Sequence, residues 1–148
     1  MSTARQRART PEQKQARKNA IVQAARQLMT DTPIDDITIG ALADCSGLAR
    51  GTAYTYFTSK EALFLSVMES DLRHWVDELS TQVEAMDAAH ARDALPALIG
   101  ESLWQHPRLL DLMATLHTTL ETRASEDDIR QFKLALADLI RPFAALIE

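Results

Sequence analysis

Residues 38–63 read TIGALADCSGLARGTAYTYFTSKEAL. Ile39, Leu42 and Ala43 sit at helical spacing behind Thr38, whose hydroxyl suits an N-cap. Gly47 follows where a short helix would stop, because only glycine takes a left-handed turn at little cost. A second short helix then opens near Arg50 and carries Thr52, Tyr54, Thr55 and Tyr56. A third helix begins near Ser59-Lys60-Glu61. Two short helices joined by a tight glycine turn make a helix-turn-helix, whose second helix enters the DNA major groove.

The flanking sequence extends the helical pattern. Residues 1–10 (MSTARQRART) are polar and basic without periodicity and read as a disordered arm. Thr10-Pro11 suits the cap and first position of helix 1, with Ile21, Ala24, Ala25, Leu28 and Met29 as its apolar face. Asp31-Thr32-Pro33 ends it. Helix 2 is predicted over about 39–45 and helix 3 over about 50–57. The long helix 4 carries a stripe from Leu63, Phe64, Val67 and Met68 through Leu72, Trp75, Val76 and Leu79 to Val83 and Met86. Helix 5 is predicted from Asp93 to about Gln105. Helix 6 would open at Pro107 and run to Leu120. Ser125 with Asp128 resembles a capping box for helix 7, whose stripe is Ile129, Phe132, Leu136, Leu139, Ile140 and Phe143, with a kink expected at Pro142. The predicted fold is all-α: a basic arm (1–10), a three-helix helix-turn-helix domain (11–64) and a helical regulatory domain (65–148). Glu148 falls inside an apolar pattern, so the second domain is expected to be incomplete or to present a partner surface.

Composition narrows the function classes. Hydrophobic residues make up 46% of the 148, yet no apolar run approaches the roughly 18 residues of a membrane span. One cysteine, Cys45, rules out an internal disulfide, and no apolar stretch follows the basic N-terminus as in a secretory signal. The simplest location is the cytoplasm. Net charge is −5, but it is unevenly shared. Residues 1–60 hold nine Lys/Arg against five Asp/Glu; residues 61–148 hold seven against sixteen. A basic first part on an acidic remainder suggests that one end alone meets phosphate. No P-loop, G-x-G-x-x-G or G-x-S-x-G motif is present, so neither enzyme activity nor a cofactor is expected. His74, His90, His106 and His117 contain no i,i+4 pair, so no metal site is expected either.

The candidate DNA contacts are Thr38, Arg50, Gly51, Thr52, Tyr54, Thr55, Tyr56 and Lys60. From Arg50 to Tyr56 a helix rises roughly 9 Å, short enough for a major groove about 12 Å wide. Arg50 can bind guanine in bidentate fashion or clamp a phosphate. Gly51 allows close backbone approach. Thr52 and Thr55 offer hydroxyls and methyls. Tyr54 and Tyr56 offer hydroxyls, or are simply half-buried aromatics. Phe57 is expected to face inward. Thr38 can cap and touch phosphate together, and Lys60 sits at a helix start that favours an anion. Arg5, Arg7, Arg9, Lys14, Arg17 and Lys18 could add non-specific attraction.

This stretch resembles the N-terminal domain of the TetR family of transcriptional regulators, through Ile34 to Ala43, Ser46 to Phe57 and Lys60-Glu61-Ala62-Leu63. The resemblance covers residues 12–64. It implies an all-helical, homodimeric repressor that binds a pseudo-palindromic double-stranded DNA operator and answers to a small-molecule inducer. It also implies DNA contacts at Thr38, Arg50, Gly51, Thr52, Tyr54, Tyr56 and Lys60. Two residues depart from the family pattern. Ala49 replaces the usual Ser or Thr cap of helix 3, at a typical cost of about 1 kcal/mol, and Ala53 replaces a larger aliphatic residue. In the second domain, Met68, Trp75, Trp104, Met113 and His117 are candidates to line an effector pocket, or are plain core. Helix 4 would be the lever between pocket and DNA. The alternative function is a helical protein-protein interaction module without DNA binding.

Overall fold

The structure is a computed structural model that describes residues 10–116, 118 and 121–147. The expected basic arm lies almost wholly outside these residues. All regular structure among them is helical. In order it comprises α1 (Pro11–Leu28), a 3-10 turn (Ile34–Asp36), α2 (Ile39–Ser46), α3 (Arg50–Tyr56), α4 (Lys60–Glu84), α5 (Ala88–Trp104), α6 (Pro107–Thr115), a single turn α7 (Glu121–Arg123) and α8 (Glu126–Ile147). The chain forms two compact units that divide between Lys60 and Glu61.

In the first unit α1 packs on α2 and α2 on α3. Thr10 and Gln13 form a reciprocal capping box at the start of α1, with Pro11 at the first helical position. There the Glu12 carboxyl is held below its usual pKa, chiefly by its own backbone N–H and then by the Thr10 hydroxyl. Ile21, Val22, Ala24 and Ala25 of α1 are buried with Ile37, Leu42 and Ala43. Thr38 caps α2 by accepting from Ala41 N at 3.1 Å. At the other end of α2, Gly47 has φ +71°. The Leu48 N–H returns to Ala43 O at 3.0 Å and the Gly47 N–H to Asp44 O at 3.3 Å, closing the helix in the manner of a Schellman turn. Ala49 precedes α3 with no side-chain cap, as its sequence predicts.

In the second unit the α4 stripe is buried from Leu63 to Leu79, with Val83 and Met86 only half-buried. Trp75 Nε1 donates to Ser102 Oγ at 2.9 Å, and the Ser102 hydroxyl donates to Ile99 O at 3.2 Å. The buried Asp71 takes a two-armed bond from Arg108, at 2.7 and 3.1 Å. These contacts tie α4 to α5 and α6.

Helix 5 begins five residues before its predicted start, because Asp87 caps it by accepting from His90 N at 3.0 Å. The α-helical span of α6 runs to Thr115, Leu116 and Thr118 carry π-helical bonding, and the predicted end at Leu120 lies outside the described residues. Ser125 accepts from Asp128 N while donating to the Asp128 carboxylate at 2.6 Å. This is a cap, though the shorter aspartate returns to the serine hydroxyl. α8 runs through Pro142 as one helix. Of its six-residue apolar stripe only Phe132 is buried, and Ile140 is exposed.

Two substitutions test the turn. Gly47→Ala meets no atom within 4 Å yet must keep φ +71°, so it should lower unfolding free energy by about 1–2 kcal/mol in urea titration. Ala49→Ser supplies the missing cap and should raise it by about 0.5–1 kcal/mol.

Candidate nucleic-acid interface

α3 has two faces. Ala53, 2% exposed, and Phe57, 5% exposed, lie four residues apart on the inner face. Lys18 of α1 stands 5.6 Å above the Phe57 ring, a cation–π contact that joins α1 to the end of α3. Arg50, Gly51, Tyr54 and Thr55 occupy the outer face, with Tyr54 54% exposed, while Thr52 and Tyr56 flank it half-buried. Six of the eight sequence candidates therefore fall on α3, and four of these share one open face.

Local hydrogen bonds refine the expected roles. The Thr55 hydroxyl donates to Gly51 O at 2.9 Å, so its proton is engaged and its lone pairs and methyl remain open. The Thr38 oxygen accepts the α2 cap bond and keeps its own O–H free to donate outward. Lys60 was expected at a phosphate. Its ammonium instead donates to Asp35 O at 2.8 Å and Ile37 O at 3.3 Å. A lysine at the start of a helix faces the positive end of the dipole, and two carbonyls relieve that repulsion. In so doing Lys60 clips the loop before α2 to the start of α4. One of its three donors is left over.

Arg50 lies differently. Its guanidinium rests against α2: a Cβ built on Gly40 would sit 2.5 Å from Nη2, 2.8 Å from Cζ and 3.0 Å from Nε. No hydrogen bond or ion pair to Arg50 occurs among the described residues. Of the cations expected to add general attraction, Lys14 is exposed and Lys18 is engaged with Phe57. Arg5, Arg7 and Arg9 lie outside the described residues.

The pocket candidates scatter. Met68 and Trp75 are buried in α4, where the Trp75 indole N–H already has its partner in Ser102. Trp104 is 81% exposed and Met113 42% exposed, so neither lines an interior. Trp104 stands two residues past buried Ser102, about 200° around the helix, and Met113 one residue past buried Leu112, about 100° around. His117 lies outside the described residues. An open groove of about 430 Å³ runs along α8 between Ala124, Ile129, Lys133 and Leu134, and includes none of the five. Among the described residues no helix is long and apolar enough to cross a membrane, and no group of three His, Cys, Asp or Glu is placed to hold a metal ion.

Sequence reasoning missed Gly40 and the carbonyls of Asp35 and Ile37. A signal existed for Gly40: glycine inside a helix costs up to about 1 kcal/mol and so hints at a close approach.

Comparison with known proteins accords with this geometry. A family model described as "Bacterial regulatory proteins, tetR family" matches residues 21–67, and one described as "Tetracyclin repressor-like, C-terminal domain" matches residues 69–148. The HTH-type transcriptional regulator EthR of Mycobacterium tuberculosis (strain H37Rv) is 42% identical over 53 residues, 36% of this chain and 24% of the relative. YvdT of Bacillus subtilis (strain 168), an HTH-type transcriptional regulator, is 33% identical over 69 residues, 47% of this chain and 36% of the relative. The Fatty acid metabolism regulator protein of the same strain is 26% identical over 121 residues, 80% of this chain and 59% of the relative. The chain thus spans less than two thirds of the length of each of these relatives. Since the second family model alone covers more than half of it, the chain belongs to the TetR family of bacterial transcriptional regulators.

Proposed function

We propose that this chain is a sequence-specific DNA-binding repressor that acts as a dimer and releases its operator when a small molecule binds. The observation that carries the reading is the divided α3 surface: Ala53 and Phe57 inward, Arg50, Gly51, Tyr54 and Thr55 outward. A helix held by one face and bare on the other can enter a groove without unfolding anything. The roles follow from the chemistry. Arg50 reads guanine or clamps phosphate. Tyr54 and Tyr56 reach the backbone, and Gly51 lets it come close. Thr38 donates to a phosphate from the start of α2, where the dipole favours an anion. Lys60 acts chiefly on the loop, with a lesser contribution to phosphate.

Two copies would present α3 about 34–36 Å apart to half-sites one helical turn from each other. Dimerisation is supported by the apolar stripe of α8, which is half-buried at four of its six residues and exposed at Ile140, and by exposed Trp104, since exposed apolar surface of this kind marks an interaction site. An effector bound within the 61–148 unit would shift the population toward a spacing that misses one half-site. Coupling of this kind typically amounts to about 1–3 kcal/mol. α4, whose first residue ends one unit and whose remainder belongs to the other, is the connecting element.

Fluorescence anisotropy tests the reading on a duplex selected by the chain from a random-sequence pool. Binding should be strongly salt-dependent and should prefer the selected duplex over random sequence. Equal, salt-insensitive signals would favour a protein-interaction module instead. Arg50→Ala should weaken binding roughly tenfold and relax base choice at one position of each half-site. Lys60→Met should lower unfolding free energy by about 1–2 kcal/mol and change the salt slope by less than one. An unchanged stability with a full unit lost from the slope would assign that ammonium to phosphate.

A further inference from the structure

The four glycines stand in different situations. Gly47 is required by its backbone angle, φ +71°, and has open space around it. Gly51 and Gly100 also have open space and no such angle. Gly40 is the reverse of Gly47. Its φ is ordinary, so any residue could take its conformation, and alanine would make a better helix there. What sets Gly40 apart is that the space a Cβ would fill is already taken by a side chain. The nearest atoms to its missing Cβ are all in one side-chain head, the Arg50 guanidinium, at 2.5–3.0 Å. Real Cβ atoms essentially never come closer than 3.0 Å to another heavy atom.

We infer that Gly40 is a positioning residue for DNA recognition: its bare backbone is the shelf on which the Arg50 guanidinium rests. This inference relies on the proposed docking of α3. The guanidinium is planar, with five donors in a fixed fork. Contact with α2 leaves all five without a partner among the described residues, while removing much of the freedom of a long, exposed side chain. A preordered fork loses less entropy on meeting a guanine edge or a phosphate than a free one does. A methyl at Gly40 must push the guanidinium away, and because the displaced atoms are the far end of a flexible side chain, the fold itself need not yield. Gly40 touches no nucleic acid in this account; it acts through Arg50.

The test is a double-mutant cycle on the full chain. It compares wild type, Gly40→Ala, Arg50→Ala and the double variant on the selected duplex, with thermal melting and 15N relaxation of the Arg50 Nε–H alongside. Gly40→Ala should leave melting unchanged or raised, make the Nε–H more mobile, and weaken binding roughly 3- to 10-fold, no more than Arg50→Ala does. In the Arg50→Ala background it should change affinity less than twofold. An equal loss in both backgrounds would show that Gly40 acts on DNA or on the fold directly, and would overturn the inference. So would an Nε–H as ordered in Gly40→Ala as in wild type, whatever the DNA result. If Arg50→Ala binds as wild type although the Nε–H loses order on Gly40→Ala, the shelf stands as a contact, but its recognition role falls together with the docking reading. A Gly40→Ala chain that folds only when Arg50 is also alanine would show a guanidinium that cannot swing aside, and would overturn the shelf as a positioning device. Failure to fold in both backgrounds overturns it.

Discussion

The left-handed turn at Gly47 is the constraint on which the rest of the first unit depends. α2 has eight residues and α3 seven, too few for either to be stable alone. Each must be held by its neighbour, and the neighbour's placement is set by how sharply the chain turns between them. Gly47 at φ +71° makes that turn in three residues and returns the Leu48 N–H to α2. An L-residue there would oppose the turn by about 1–2 kcal/mol. With α3 started at Arg50, the 3.6-residue period places Ala53 and Phe57 inside and Arg50, Tyr54 and Thr55 outside. A start one residue later would rotate the pattern by about 100° and bury the wrong side chains.

Positive charge in this unit serves folding. Lys18 lies over Phe57 and Lys60 over two backbone carbonyls. Both are engaged in holding the recognition helix and the loop before α2, and so are less available to phosphate than their sequence positions suggest. Arg50, held by shape through Gly40, keeps its donors for a partner. The second unit has its own polar fastenings, Asp71 with Arg108 and Trp75 with Ser102, which satisfy groups that would be costly to bury alone. Its α8 stripe is only partly covered, with Phe132 buried, four residues half-buried and Ile140 exposed.

The helix-turn-helix was legible in the sequence because its boundaries are written in backbone chemistry: a threonine cap at 38, a glycine stop at 47 and a fresh helix start after Ser59. The departure at Ala49 was equally plain, since a missing hydroxyl is a local fact. Less legible was the start of α5, where Ala88, Ala89 and Ala91 carry little apolar contrast to mark a helix behind the Asp87 cap. Trp104 and Met113 were misplaced because residue type suggests a core, whereas exposure depends on the angle around the helix from Ser102 and Leu112. Lys60 could not be assigned from sequence, since its partners are carbonyls more than twenty positions away. Nor could the Gly40–Arg50 contact, which exists only after the turn folds the two short helices together.

The most direct test of the account is dimethyl sulfate footprinting on the selected duplex, because the reagent methylates guanine N7, which lies in the major groove. The account predicts protected guanines in two clusters whose centres are one helical turn apart, with protection lost on Arg50→Ala at one position in each cluster. A bound complex with every guanine N7 still reactive, or protection confined to the minor groove, would contradict it.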